Sequence, residues 1–128
     1  MTQVLDASAI LAVLNDEPGQ DYVIAALDDA VISAVNLGEV VAGLIARGKS
    51  EGQARAALRA LACPVADADE EYGIDAGLLR KVTSGAGLSL GDRFCLALGR
   101  RLGVPVVTAD RKWNEIAAAC GVEVRQIR

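Results

Sequence analysis

The sequence predicts an α/β domain in which helices flank a mostly parallel sheet of five strands. Short segments rich in valine, isoleucine and leucine alternate with longer segments that have helical spacing and frequent alanine. The length of 128 residues suits one domain with one hydrophobic core. No linker, internal repeat or low-complexity tract divides the chain. We therefore expect a single domain over residues 1–128.

Five short apolar segments are predicted to be the strands. They are residues 3–5, 30–33, 64–66, 105–108 and 123–126. Each of the first four is followed by at least one predicted helix before the next strand begins. This alternation is typical of parallel sheets, whose neighbouring strands need a crossover connection.

The predicted helices are bounded by residues that favour helix ends. They cover residues 7–14, 19–27, 34–47, 50–62, 67–83, 89–102 and 111–120. Pro18 suits the start of the second helix, and Ser50 is the expected N-cap of the fourth. Gly48, Gly103 and Gly121 follow the ends of three others, where glycine is the preferred residue.

The chain contains no histidine, which narrows the chemistry available to it. Serine or cysteine catalysis with a histidine base is excluded, and so is an imidazole metal site. Cys63, Cys95 and Cys120 are far apart in the sequence, so we expect reduced cysteines and no zinc site. Any catalysis must therefore depend on carboxylates, which prefer hard cations such as Mg²⁺ or Mn²⁺.

Charge is distributed unevenly along the chain, although the net charge is only −4. Residues 1–46 contain seven acids and no lysine or arginine; the remainder has ten acids and thirteen bases, a balance of +3. This excludes a non-specific nucleic-acid binder but allows local contacts to phosphates. No apolar run approaches the roughly 18 residues of a membrane span. The first residues lack the basic segment of a signal peptide, so we expect a cytoplasmic protein without membrane contact.

Four acids occupy positions that suggest a shared site. Asp6 and Asp110 follow the first and fourth predicted strands, whose carboxyl ends meet at one edge of the sheet. Glu39 lies within the third predicted helix, and Asp92 lies in the first turn of a later one. Local roles are open for each acid: Asp6 and Asp110 as N-caps, Asp92 in a capping box with Ser89, and Glu39 on a solvated helix face.

The four acids together favour a cation site. Two carboxylates about 4 Å apart repel by roughly 4 kcal/mol at an effective dielectric constant near 20. Helix N-termini offset only part of this, typically up to about 1 kcal/mol each. A divalent cation removes the repulsion, lowers the pKa of a bound water and stabilises charge on a phosphate oxygen. Such a site needs no histidine base.

Small polar residues accompany the acids. Ser8 lies two residues after Asp6, where its hydroxyl can orient a carboxylate. Thr108 lies two residues before Asp110, on the same side of the strand end. Asn36 precedes Glu39 by one helical turn and shares its face. Local capping is the commoner role of such residues, and it stays open here.

Basic residues follow two of the acids. Arg93 comes directly after Asp92, and Arg111 and Lys112 come directly after Asp110. Beside a cation site they are placed to bind the phosphates of a nucleic acid, and on a solvated face they have no such role. Trp113 is either a stacking partner for a base or part of the core.

Four stretches together resemble the PIN-domain family, in particular the VapC-type toxins of bacterial toxin–antitoxin pairs. They are VLDASAILAVLNDEPG, ISAVNLGEVVAGL, LSLGDRFCLALGRRLGVPVVTADRKW and VEVRQI, and they span nearly the whole chain. The resemblance implies a three-layer PIN-like fold and a Mg²⁺- or Mn²⁺-dependent endoribonuclease. It assigns the metal to Asp6, Asp92 and Asp110, with Glu39 as the fourth catalytic acid. Asn36 departs from the family, in which similar proteins often have a small hydroxyl residue there.

The resemblance also implies partners. Such toxins act on RNA, form homodimers and are inhibited by a cognate antitoxin that lays a helix over the site. Residues 24–27 and 40–45 provide apolar helical surfaces for such a helix, although core packing is an alternative for most of these side chains.

Other acidic-pocket proteins fit the sequence less well. A non-catalytic or regulatory α/β binding module, in which the acids only cap helices, remains the alternative. Phospho-acceptor receivers require paired acids after the first strand, and haloacid-dehalogenase-like phosphatases require an aspartate where this chain has Ser8. No phosphate-binding loop of the P-loop type is present.

Overall fold

A computed structural model describes residues 2–128 and contains one five-stranded sheet. Its strands are β1 (Gln3–Leu5), β2 (Ala30–Ser33), β3 (Val65–Ala66), β4 (Val106–Thr108) and β5 (Val124–Gln126). The order is β3-β2-β1-β4-β5, and every pairing in this sheet is parallel. The predicted sheet is confirmed, with three strands one residue shorter at their starts.

The strand order reverses at β1, in the centre of the sheet. The chain passes from β1 outward to β3 on one side and then returns to β4 and β5 on the other. Leu5 pairs with Val107, and the amide of Asp6 donates to the carbonyl of Val107 at 2.9 Å. The carboxyl ends of β1 and β4 therefore lie side by side, which is where ligand sites form in such sheets.

Eight α-helices occur in the described part of the chain. They are α1 (Ala7–Leu14), α2 (Gln20–Ala26), α3 (Ala34–Ala46), α4 (Glu51–Leu61), α5 (Glu70–Leu78), α6 (Arg80–Thr83), α7 (Leu90–Leu102) and α8 (Ala117–Cys120). Two 3₁₀ turns, at Leu27–Asp29 and Arg111–Glu115, complete the helical structure. None of the helices in residues 2–128 is long and apolar enough to cross a membrane.

The helices cover both faces of the sheet, as the three-layer prediction requires. Val4 and Val106 point to one face and pack with residues of α5, α7 and α8. Leu5 and Val107, their neighbours in sequence, point to the other face and pack with α1, α2, α3 and α4. The alternation follows from the two-residue period of a strand. Burial on both faces explains why these strands are continuously apolar.

Two predicted helices are divided in the structure. The helix predicted over residues 67–83 begins only at residue 70, because the Asp69 carboxylate accepts a hydrogen bond from the amide of Tyr72 and caps the first turn. It is then interrupted at Leu79. The helix predicted over residues 111–120 is a 3₁₀ turn followed by α8, with the break at Ile116.

Trp113 and the cysteines are mainly core residues. The Trp113 side chain is fully buried in the cluster formed with α7 and α8, so the suggested stacking of Trp113 on a base is wrong. All three cysteines are free; Cys95 and Cys120 are buried, and Cys63 is half-buried. The prediction of reduced core cysteines is therefore confirmed for two of the three.

Candidate active site

Asp6 lies at the junction of β1 and α1 and is 4% exposed. It occupies the N-cap position of α1, yet its side chain makes no capping hydrogen bond to that helix. Instead, the hydroxyls of Ser8 and Thr108 donate to its Oδ2 atom at 2.8 Å and 2.9 Å. Capping therefore does not account for this carboxylate. Its partners come from α1 and from the end of β4.

The two hydroxyls are themselves fixed by backbone amides. Ser8 Oγ accepts from the amide of Ala109 at 2.9 Å, and Thr108 Oγ1 accepts from the amide of Asp110 at 3.0 Å. An ionised carboxylate can only accept hydrogen bonds, so both hydroxyls donate to Asp6; the two hydroxyl oxygens are also 3.2 Å apart. Ser8 and Thr108 thus hold the Asp6 side chain through hydrogen bonds.

Burial makes Asp6 an unusual acid. Loss of solvent raises the pKa of its carboxyl to about 6, against the lowering effect of the Ser8 and Thr108 hydrogen bonds. The charge of Asp92 raises the pKa of Asp6 further. The ionised form of Asp6 is therefore less favourable than that of an exposed aspartate, and a positive charge beside it would favour ionisation.

Glu39 is held by two neighbours rather than lying free on a solvated face. The side-chain amide of Asn36 donates to Glu39 Oε1 at 2.8 Å and to the carbonyl of Gly91 at 2.9 Å. Glu39 lies so close to Gly91 that a Cβ atom on Gly91 would approach Glu39 Oε2 to 2.3 Å. The sequence analysis did not single out Gly91; the signal available was a glycine directly before Asp92 in the first turn of α7.

Asp92 and Asp110 both cap their own segments. The amide of Ser89 donates to Asp92 Oδ2 at 2.9 Å, and the amide of Asp92 donates to Ser89 Oγ at 3.1 Å. The amide of Lys112 donates to Asp110 Oδ1 at 2.9 Å. The two capping interpretations are thus confirmed as local roles. Each carboxylate nevertheless has a further oxygen available, and both side chains are only partly buried.

Three of the four acids lie near enough to Cys95 for their charges to act on its thiol. Burial is the main cause of the high pKa of the Cys95 thiol, and the charges of Asp6, Asp92 and Glu39 raise the pKa further. In residues 2–128 no three acids or cysteines already form a cluster able to hold a metal ion. Instead, Asp92 and Asp110 accept hydrogen bonds from backbone amides, and Glu39 accepts one from Asn36.

The donor set suits a hard divalent cation. All the side-chain donors at this edge of the sheet are carboxylate, hydroxyl or amide oxygens, which Mg²⁺ and Mn²⁺ prefer. Asp6 in particular is a buried carboxylate hydrogen-bonded only through one oxygen to side chains. A cation beside it would remove the cost of keeping it ionised.

The three basic residues near the acids differ in their exposure and in their hydrogen bonds. Arg93 Nε donates to Thr83 Oγ1 at 3.0 Å and is partly buried, so it links α7 to α6. Arg111 is exposed and donates to the backbone carbonyl of Arg128, and Lys112 is exposed. A residue that the sequence analysis missed is Gln126, whose amide donates to the Asp110 carbonyl at 2.8 Å and holds that loop to β5.

Thr108→Val tests whether the hydroxyl network serves the site. Valine keeps the shape of threonine but removes the donor to Asp6 and the acceptor for the Asp110 amide. We expect Mn²⁺ affinity and catalytic rate to fall by roughly tenfold to a hundredfold, as for other groups that orient metal ligands. Calorimetric titration measures the Mn²⁺ affinity. Ser84→Ala, at an exposed serine, is the control, and equal affinities for the two variants would contradict the assignment.

Comparison with known proteins identifies the family. The family model described as PIN domain matches residues 4–119. The chain belongs to the PIN-domain family. The sequence resemblance is thereby confirmed at the level of the family. No curated protein matches the sequence significantly.

Solved structures agree with this PIN-domain fold. A chain of VapBC2 from Rickettsia felis, bound to a promoter DNA fragment, has a TM-score of 0.75 at 17% identity, covering 98% of both chains. DNA-bound VapBC from Salmonella typhimurium has a TM-score of 0.72 at 20% identity, and the match covers 100% of this chain and 99% of that one. Mycobacterium tuberculosis VapC20, described as a sarcin-ricin loop cleaving toxin, has a TM-score of 0.71 at 17% identity, and the match covers 89% of this chain and 94% of that one. At these identities the likeness shows the fold alone.

Proposed function

We propose that this PIN-domain protein is a metal-dependent endoribonuclease that hydrolyses RNA phosphodiester bonds and acts as the toxin of a toxin–antitoxin pair. The observation that carries the proposal is the buried Asp6 carboxylate, which is held by two hydroxyls and whose pKa is raised in part by the charge of Asp92. A divalent cation would offset the energetic cost of ionising this carboxylate in a buried position. The similar fold of VapC20, a toxin described as cleaving the sarcin-ricin loop, supports RNA as the substrate class.

The residues of this chain have distinct roles in the proposal. Asp6, Asp92 and Asp110 hold Mg²⁺ or Mn²⁺, and Glu39 is the fourth catalytic acid. When bound, the cation lowers the pKa of water and stabilises charge on a phosphate oxygen. Ser8 and Thr108 keep Asp6 in one orientation through their hydroxyl protons.

Substrate binding is assigned to the surface around these acids. Arg111 and Lys112 are exposed beside Asp110 and are placed to contact RNA phosphates. Arg93 is proposed as a third phosphate contact, although its hydrogen bond to Thr83 leaves it less free than the other two.

The proposal includes a cognate antitoxin, a homodimer and a cytoplasmic location. Several proteins of similar fold were solved as VapBC or toxin–antitoxin complexes, which supports an antitoxin partner. The exposed apolar side chains of Ile24 and Ile45 are available for a partner helix, and those of Ile74 and Leu78 on α5 for a second subunit. Affinity purification from native cells that recovers no small partner would count against the antitoxin.

A non-catalytic acidic-pocket binding module is the second candidate. The capping hydrogen bonds of Asp92 and Asp110 favour it, because they give both acids a role without any ion. It does not explain why Asp6 is buried without capping α1. Absence of millimolar or tighter Mn²⁺ binding in a calorimetric titration would support the module.

RNA digestion tests the nuclease directly. Purified protein incubated with RNA and Mn²⁺ is expected to cut it, leaving 5′-phosphate and 3′-hydroxyl ends. EDTA is expected to stop cleavage, and an excess of Mn²⁺ to restore it, because the acids repel one another without a cation. End mapping by ligation and sequencing identifies the products. Cleavage that continues in EDTA would contradict metal dependence.

A further inference from the structure

We propose that Asn36 and Gly91 form a clamp that fixes the position of the Glu39 carboxylate in the candidate site. Asn36 supplies a donor on one side, and Gly91 supplies a flat backbone surface on the other. The inference rests on the proposed function in one respect, that Glu39 serves cation binding. Asn36 and Gly91 are positioning residues, since they act through Glu39.

The first half of the clamp is the side-chain amide of Asn36. Asn36 is 0% exposed, and both hydrogens of its Nδ2 group are used, one on Glu39 Oε1 and one on the Gly91 carbonyl. The amide nitrogen is correctly placed, because both neighbours are acceptors. This single group therefore connects α3 to the first turn of α7, where Asp92 begins its own capping interaction.

The oxygen of the same amide has no part in the clamp. Asn36 Oδ1 is buried and accepts no hydrogen bond from the described residues, which is unfavourable for folding. The amide nitrogen makes both hydrogen bonds of the clamp, and one of them orients Glu39.

The second half of the clamp is the missing side chain of Gly91. A Cβ atom there would lie 2.3 Å and 2.8 Å from the two carboxylate oxygens of Glu39. The atoms in conflict are the end of a flexible side chain, so the carboxylate would move and the backbone would not need to. Gly38, next to Glu39 on α3, is the opposite case, since a Cβ atom there meets nothing within 4 Å.

The clamp predicts that two substitutions displace Glu39 without unfolding the protein. Asn36→Ala and Gly91→Ala are each expected to weaken Mn²⁺ binding roughly tenfold or more, the range seen for groups that orient metal ligands. Gly91→Ala is expected to keep wild-type thermal stability, because only the Glu39 side chain must move. Gly38→Ala is the matched control and is expected to bind Mn²⁺ as the wild type does.

The decisive measurement is a double-mutant cycle on the Mn²⁺ dissociation constant, determined by calorimetry. If Asn36 acts through Glu39, then Asn36→Ala combined with Glu39→Gln binds Mn²⁺ no more weakly than Glu39→Gln alone. A merely structural role of Asn36 would instead give losses that multiply. Should Asn36→Ala fail to fold, Gly91→Ala combined with Glu39→Gln completes the same test.

The outcomes separate the clamp from the function on which it rests. Wild-type affinity in both Asn36→Ala and Gly91→Ala, or multiplying losses in the cycle, overturns the clamp alone. A wild-type protein that binds no Mn²⁺ and cuts no RNA overturns the proposed function itself. Non-multiplying losses with unchanged thermal stability in Gly91→Ala support the clamp.

Discussion

Asp6→Asn is expected to reduce RNA cleavage at least about a thousandfold while leaving the fold intact. Asparagine has the same shape as aspartate and can still accept hydrogen bonds from Ser8 and Thr108, so the local structure is kept. It lacks the negative charge that holds the cation, whose stabilisation of transition-state charge is worth several kcal/mol. Each 1.36 kcal/mol corresponds to about tenfold in rate. Single-turnover digestion of RNA with Mn²⁺ measures the loss.

The control for this experiment is Asp67→Asn, which removes a carboxylate from an exposed loop position. It is expected to cut RNA at the wild-type rate after identical purification. Circular dichroism establishes that both variants are folded. Undiminished cleavage by Asp6→Asn would refute the assignment of Asp6.

Metal-free wild-type protein is expected to lose about 3 kcal/mol of stability, relative to Asp6→Asn, as the pH rises from 3 to 7. Burial raises the pKa of Asp6 from 3.8 to about 6, so the folded state binds the proton more tightly than the unfolded state does. The stability contributed by the protonated carboxyl is therefore fully present below pH 3.8 and lost as the pH rises through about 6. The difference of about two pKa units corresponds to roughly 3 kcal/mol.

The pH effect is measured by urea unfolding in EDTA, with the two proteins compared at each pH. Taking the difference removes the titration of the other acids and any constant effect of asparagine. Mn²⁺ at pH 7 is expected to stabilise the wild type more than Asp6→Asn, because the variant lacks one of the three proposed charged ligands. A difference between the two proteins that stays constant with pH would show that Asp6 is not destabilised when ionised.

Much of the fold could be predicted because local sequence signals agreed with the tertiary structure. The strand ending at Leu5 and the strand ending at Thr108 are marked by apolar runs that stop at polar residues. The parallel arrangement places Asp6 and Asp110 at the same edge of the sheet, and the pairing of β1 with β4, seen in the structure, brings Thr108 beside Asp6. Helical periodicity places Asn36 on the same face as Glu39, with which it forms a hydrogen bond. In the helix, short-range spacing alone brings the two residues together.

Other features depend on tertiary contacts that the spacing of residues along the sequence does not reveal. Helical periodicity over residues 111–120 does not show that Trp113, near the start of this segment, is buried in the core, or that residues 111–115 form a 3₁₀ turn before α8. α5 starts three residues later than predicted because Asp69 is its N-cap. Helical periodicity does not show which of several residues that are able to cap a helix becomes the N-cap. The packing of Glu39 against Gly91 joins α3 to α7, and its signal in the sequence is a single glycine.

The acids illustrate the limit most clearly. The sequence predicts that four carboxylates approach one edge of the sheet, and in the structure the charges of Asp6, Glu39 and Asp92 all act on the Cys95 thiol. It also shows Asp92 and Asp110 bonded to amides of their own segments. Capping uses one oxygen of each carboxylate and leaves the other for a cation, so the capping hydrogen bonds do not decide whether a cation binds. A pattern of residues does not contain that information.

The central claim is that these acids converge on one divalent cation, and a crystal structure with Mn²⁺ tests it most directly. Anomalous scattering locates the ion independently of its ligands. We predict Mn²⁺ at about 2.1 Å from carboxylate oxygens of Asp6, Asp92 and Asp110. Anomalous density absent from this position, with Asp92 and Asp110 still hydrogen-bonded to the amides of Ser89 and Lys112, would contradict the account.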